Sequence, residues 1–152
     1  MIMHAVAITG TRTVDNLTDC GPTFATYLGP FATSTSHFFI GGALGIDTLA
    51  LLWLADHTAA ALTVVTPGTL AQQPDAARAA VHSVGTRADL IELGAGELRA
   101  PAYHARNRYM VDRSQFTIGF PAMDTDPESG SGTWQTLGYA AQKGQPRLIV
   151  PI

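Results

Sequence analysis

Six short apolar runs recur along this chain, and no two of them are joined by a hairpin turn. They cover residues 5–9, 37–40, 61–66, 88–93, 116–120 and 147–150. Segments of helical length and composition lie between them, at 20–27, 47–57, 73–83, 102–114 and 133–143. Pro74 is placed in the first turn of one helix, where its missing N–H costs nothing, and Gly144 stops the last one. Short buried strands alternating with helices require crossover connections, and these produce a mostly parallel sheet covered on both faces. The expected architecture is therefore a single three-layer, Rossmann-like α/β domain over residues 1–152. Within the helix at 47–57, Leu49, Leu52 and Trp53 share a face, and apolar side chains nearly all round it predict deep burial.

Composition supports one compact core. The 152 residues are 46% apolar and 14% charged, which excludes a disordered chain. No apolar run reaches the roughly 18 residues of a membrane span. Residues 1–4 have neither the basic start nor the cleavage site of a signal peptide. Cys20 stands alone, so no disulfide framework is expected, and the default compartment is the reducing cytoplasm. With no basic or histidine neighbour, Cys20 is not a candidate nucleophile. A net charge of −3 argues against a general nucleic-acid coat protein but leaves room for a local basic site. Eight of the nine cationic residues are Arg, the exception being Lys143, and Arg suits bidentate contact with phosphate or carboxylate.

In sheets of this kind ligands bind at the carboxyl ends of the strands. Four glycine- or arginine-bearing turns are expected there. The most suggestive contains Gly41, Gly42, Ala43, Gly45 and Asp47, between an apolar strand and a helix. Glycine lets backbone approach a ligand closely, and a helix start offers unpaired N–H groups to an anion. The second turn is Gly10, Thr11 and Arg12; the third is Pro67, Gly68 and Thr69. The fourth is Ser129, Gly130, Ser131, Gly132 and Thr133, where hydroxyls and N–H groups could surround a phosphate, or a Ser or Thr could simply cap the helix. None of these is a Walker A loop or a dinucleotide fingerprint, because the following Lys or the glycine spacing is missing.

Arg106, Asn107 and Arg108 fall on the helix at 102–114, with His104 two residues earlier. At helical spacing His104 and Arg108 share a face while Arg106 points elsewhere. One arginine can thus meet a ligand while the other pairs with an acid. Asp47 is read first as a helix cap or first-turn residue. Asp124, Asp126 and Glu128 form an acidic loop, and no spacing of His, Cys or carboxylates suggests a metal site. No cofactor is implied.

Taken in order, Gly10-Thr11-Arg12, Gly41-Gly42-Ala43-Leu44-Gly45-Ile46-Asp47-Thr48, Arg106-Asn107-Arg108 and Ser129-Gly130-Ser131 resemble the Rossmann-like core of DNA-processing protein A (DprA/Smf). The resemblance spans nearly the whole chain. It implies that the helical and winged-helix domains flanking that core in full-length DprA are not part of these 152 residues. The same stretches are similar to the lonely-guy (LOG) nucleotide phosphoribohydrolases, through His104-Ala105-Arg106-Asn107 and Gly132-Thr133-Trp134-Gln135-Thr136. Both families belong to one superfamily (SMF/DprA–LOG, or SLOG). Two positions depart from LOG: its catalytic Glu falls on Thr136 and its Lys on Asn107.

The resemblance implies binding of a nucleotide, a phosphorylated small molecule or the backbone of single-stranded DNA. Gly10, Thr11, Arg12, Gly41, Gly42, Ala43, Gly45, Arg106, Asn107, Arg108 and residues 129–133 would hold the phosphate. The alternative is an N-glycosidase that splits a nucleoside 5′-monophosphate into base and ribose 5-phosphate. With Thr136 unable to act as acid or base, Asp47 or Glu128 would have to supply the carboxylate. A ligand-free partner-binding domain is a third reading. Homo-oligomers are expected from the resemblance, through the apolar helices at 49–55 and 137–141, and no membrane partner is expected.

Overall fold

The computed structural model describes residues 4–15 and 19–152. Its strands are β1 (Ala5–Gly10), β2 (His37–Gly41), β3 (Ala61–Thr66), β4 (Ala88–Glu92), β5 (Phe116–Phe120) and β6 (Arg147–Ile149). Its helices are α1 (Gly21–Tyr27), α2 (Ile46–His57), α3 (Asp75–Val84), α4 (Ala100–Asp112) and α5 (Gly132–Gln142). Met1 to Met3, from the stretch read for a signal peptide, and Asn16 to Thr18, just before α1, lie outside the described residues.

All six strands are parallel, in the order β4-β3-β2-β1-β5-β6. The chain lays down β1 to β4 in one direction, then returns to place β5 on the other side of β1. Strand order reverses at β1 and β5, where Ile8 stands beside Ile118 and Gly10 beside Phe120. A crevice opens outside the carboxyl ends of the strands at such a reversal.

Alternation along the strands decides which helix covers which face. Val6, Ile8, Phe38, Ile40, Leu62, Val64, Phe116 and Ile118 point to one side and form a core with Phe24 of α1, Ile46, Ala50 and Leu54 of α2, and Ala80 of α3. Ala7, Phe39 and Val65 point to the other, against Met110 and Val111 of α4 and Ala140 of α5. The predicted three-layer arrangement is the one observed.

Proline sets two of the boundary shifts. The sequence reading opens the fourth helix at residue 102, but α4 begins at Ala100, because Pro101 sits in its first turn, where no N–H partner is lost. The third helix was expected from residue 73. Pro74 instead occupies the position before the helix, and Gln73 ahead of it is extended at φ −81°, ψ 159°, as a residue preceding proline prefers. In α2 the expected common face of Leu49, Leu52 and Trp53 is not the buried one. Leu52 is 37% exposed, and the buried stripe runs through Ile46, Ala50, Leu51 and Leu54. Packing against β1 chooses that stripe: the Ile46 side chain fills the space where a Cβ on Gly10 would stand. At the sheet edges β4 and β6 carry only partly covered side chains.

Candidate functional site

A cavity of about 400 Å³ occupies the crevice at β1 and β5. Its floor is the end of β1 with Gly10, Thr11 and Arg12, and Ala43 and Asp47 close one side. Tyr103, His104, Arg106 and Asn107 descend from α4, and Gly130, Ser131, Gly132 and Thr133 lead into α5. Four segments far apart in sequence therefore converge. Ile46 N–H donates to Thr11 O at 3.0 Å and holds the first two together, and Thr11 N–H donates to Phe120 O at 3.0 Å, tying the first to the end of β5.

The charged groups are unequally buried. Arg106 is 5% and Asp47 7% exposed, whereas Arg12 is open to solvent. Burial pushes the Asp47 carboxyl up to about 6, against the opposing pull of Arg106, the Ala43 N–H at 3.3 Å and Arg12. Burial likewise lowers Arg106 from its ordinary value while Asp47 raises it; an arginine so placed stays charged. The Arg106 side chain is oriented by donation from Nε to Asn107 Oδ1 at 2.8 Å and from Nη1 to Val65 O at 3.4 Å. The Tyr103 ring lies beneath both cations, 4.7 Å from Arg12 and 5.9 Å from Arg106. Arg12 forms no ion pair with any described residue.

Within the turn after β2, protein atoms fill the space left by the glycines. A Cβ on Gly41 would lie 2.5 Å from Arg106 Nη1 and 2.6 Å from Asp47 Oδ2. One on Gly42 would lie 2.9 Å from Thr66 Cγ2. Gly45, at φ 72°, would place its Cβ 2.4 Å from Thr11 O, and no other residue takes that backbone cheaply. Of this turn, Ala43 and Asp47 line the cavity, and Gly41, Gly42 and Gly45 stand behind its wall. Asp47 is in the first turn of α2; the residue before that helix is Gly45.

At the start of α5, Ser131 Oγ accepts from Trp134 N–H at 3.2 Å and so caps the helix. Gly132 and Thr133 supply first-turn N–H groups, which have no partner within a helix. The neighbouring loop folds on itself: Ser129 Oγ donates to Asp126 O at 2.7 Å, and Glu128 N–H donates to Asp126 Oδ1 at 2.9 Å. Ser129 and Glu128 do not line the cavity, and neither does Arg108, which opens onto a different hollow. Thr136 is 1% exposed and donates its hydroxyl to Gly132 O at 2.8 Å.

Tyr103 and Thr125, neither singled out by the sequence motifs, also line the cavity, as does Gln135 from the stretch similar to LOG. Tyr103 was accessible through its i,i+3 relation to Arg106 on a helix; Thr125 carries no motif. Cys20 is buried, and burial, with Asp19 alongside, raises its thiol. Among the described residues no three His, Cys, Asp or Glu side chains cluster as a metal site would require.

No family model matches the sequence. No curated protein matches it either. Solved structures do match, two of them as follows. DNA processing protein A from Helicobacter pylori aligns over 99% of this chain and 66% of its own, with a TM-score of 0.72 and 19% identity. The fold is shared with DNA processing protein A. The Streptococcus pneumoniae protein of that name aligns over 99% of this chain and 51% of its own, with a TM-score of 0.72 and 21% identity. This chain thus spans between half and two thirds of those two. The H. pylori DprA structure was described for its mode of single-stranded DNA binding. Both of these structures are of DNA processing protein A.

Proposed function

We propose that the cavity at β1 and β5 binds the phosphate of a nucleotide unit, in a free nucleotide or in single-stranded DNA. The observation that carries this reading is the pair of guanidinium groups on one tyrosine ring, facing the start of α5 across the cavity. Arg12 supplies an exposed charge that makes no salt bridge with a described residue, and Arg106 supplies a buried one whose direction is fixed by Asn107 and Val65. The N–H groups of Gly132 and Thr133 and the positive end of the α5 dipole add to the attraction. In this arrangement Gly41, Gly42 and Gly45 shape the wall by letting Arg106, Thr66 and the 11–12 backbone close in. The likeness to DprA brings single-stranded DNA into the reading.

One observation favours hydrolysis as a second reading. Asp47 lines the cavity and its carboxyl is raised to about 6, so it can hold or release a proton near neutral pH. It would serve as the acid or base of an N-glycosidase, with Thr136 held out of that role.

The two readings separate in one experiment. The protein is incubated with a panel of nucleoside monophosphates while free base is followed, and a single-stranded oligonucleotide is titrated at two salt concentrations. Binding without base release supports a binding protein. A steep fall of affinity with salt identifies a strand, because each neutralised phosphate releases counter-ions. Base release that disappears in Asp47→Asn supports the enzyme. No binding by any of these ligands removes both.

A further inference from the structure

A second hollow, of about 370 Å³, lies between α4 and α5 and touches the first. His104, Asn107 and Gln135 line both. Nothing in the phosphate-binding reading uses this second space.

Asn107 is the informative residue at the seam. It is 8% exposed, and its side chain is not free to turn. Arg106 Nε can only donate, so the oxygen of the Asn107 amide must face it, and the 2.8 Å bond fixes that orientation. The Nδ2 donors are left over. No described residue accepts from them, and both cavities border the side chain. The Nδ2 donors thus open into the cavities in a fixed direction, where an acceptor on a ligand can take them.

The rest of the second hollow combines ring surface and amides with the Arg108 guanidinium at its lining. Trp134 and Tyr139 supply ring surface. Each is pinned at its polar end, Trp134 Nε1 donating to Thr125 Oγ1 at 3.0 Å and Tyr139 Oη donating to Asp112 Oδ1 at 2.6 Å. Gln135 and Gln142 add amides able to donate and accept. Fixed aromatic rings with amides around them suit a flat heterocycle whose edge carries acceptors and donors.

We propose that the two hollows are compartments of one site: the first holds the phosphate and the second holds the nucleobase, with Asn107 Nδ2 donating to an acceptor on the base. This rests on the phosphate reading above and adds that the ligand is chosen by its base. Gly138 provides the test, because it borders the second compartment and not the first, and a Cβ added there meets nothing within 4 Å. Gly138→Phe therefore fills the second compartment from a helix position that gains helical propensity over glycine.

The experiment measures affinity for ribose 5-phosphate and for a panel of four nucleoside 5′-monophosphates, in the wild type and in Gly138→Phe. The wild type is expected to bind at least one nucleotide tenfold or more tighter than ribose 5-phosphate, with a change in Trp134 emission that ribose 5-phosphate does not produce. In Gly138→Phe that preference collapses while ribose 5-phosphate binds as before. Gln142→Phe, at an exposed position of the same compartment, is expected to act in the same direction and stands in if Gly138→Phe fails to fold. Equal affinity of nucleotides and ribose 5-phosphate in the wild type overturns the base compartment and leaves the phosphate reading intact. A preference that survives both filled variants does the same. Failure of ribose 5-phosphate and of every nucleotide to bind overturns both.

Discussion

Asp47 and Arg106 meet over the α-carbon of Gly41, from helices packed on opposite faces of the sheet. Asp47 Oδ2 and Arg106 Nη1 lie within 2.6 Å of the point a Cβ on Gly41 would occupy. The glycine is what lets a carboxylate from α2 and a guanidinium from α4 share the end of β2. Each group is more than nine-tenths buried, and each moderates the cost of burying the other.

Gly41→Ala places a methyl group between the two. Both are buried, so neither can swing away without losing a fixed contact. The expected cost is about 1–3 kcal/mol of stability, as for other overpacked positions. Phosphate binding is expected to weaken with it, because Arg106 is displaced. Denaturant unfolding and ligand titration of the same variant check both; an unchanged midpoint and affinity would show that the pair has slack.

The pH dependence of stability has an unusual sign at Asp47. The folded carboxyl holds its proton up to about pH 6, while the ordinary value is 3.8, so folding takes up a proton between those limits. Stability from this group is fully present below 3.8 and is lost as pH rises through 6. The difference across that window amounts to about 3 kcal/mol. Asp47→Asn cannot titrate, so wild type and variant should diverge in unfolding free energy between pH 4 and pH 7, with the variant favoured at the upper end. Parallel curves would remove this account of Asp47.

Arg12 and Arg106 should fail in different ways. Arg12 is exposed and stands over Tyr103, so Arg12→Ala is expected to change stability by no more than about 0.5 kcal/mol. It should nonetheless weaken phosphate binding about tenfold or more, the scale of one charge-assisted hydrogen bond. Arg106→Ala leaves Asp47 buried without its cation and is expected to cost about 3 kcal/mol in stability as well as the affinity. Thermal unfolding beside ligand titration distinguishes the two patterns.

The two carboxylates proposed for hydrolysis are separated by the same logic. Glu128 is exposed and outside the cavity, so Glu128→Gln should leave both ligand affinity and any base release unchanged. Asp47→Asn should abolish base release if the protein catalyses it. Loss of turnover in Glu128→Gln alone would mean that the 126–129 loop enters the cavity when ligand binds.

The strands were readable because each is a short apolar run closed by glycine, proline or a polar turn, and β3 and β5 begin and end where the residues predict. Helix boundaries near Pro74 and Pro101 were less readable, since proline is tolerated at several positions around a helix start and only local geometry chooses among them. The buried face of α2 could not be read from an apolar helix, because contact with β1 through Gly10 selects it.

The candidate site divides in the same way. The sequence by itself determined a parallel α/β sheet with glycine and arginine turns at the carboxyl ends of its strands, because strand length, helix length and the absence of hairpins leave few other folds. It also separated Arg106 from Arg108 by helical phase. Only the tertiary structure decided what those residues touch. It buried Arg106 beside Asp47, turned Arg108 outward, set Tyr103 under two cations, and gave the spaces at Gly41, Gly42 and Gly45 to protein atoms. The physical reason is that a motif fixes backbone conformation over a few residues, whereas burial and charge pairing depend on which helix the sheet brings alongside, and in this protein those partners come from segments about 60 residues apart in a chain crossing both faces of one sheet.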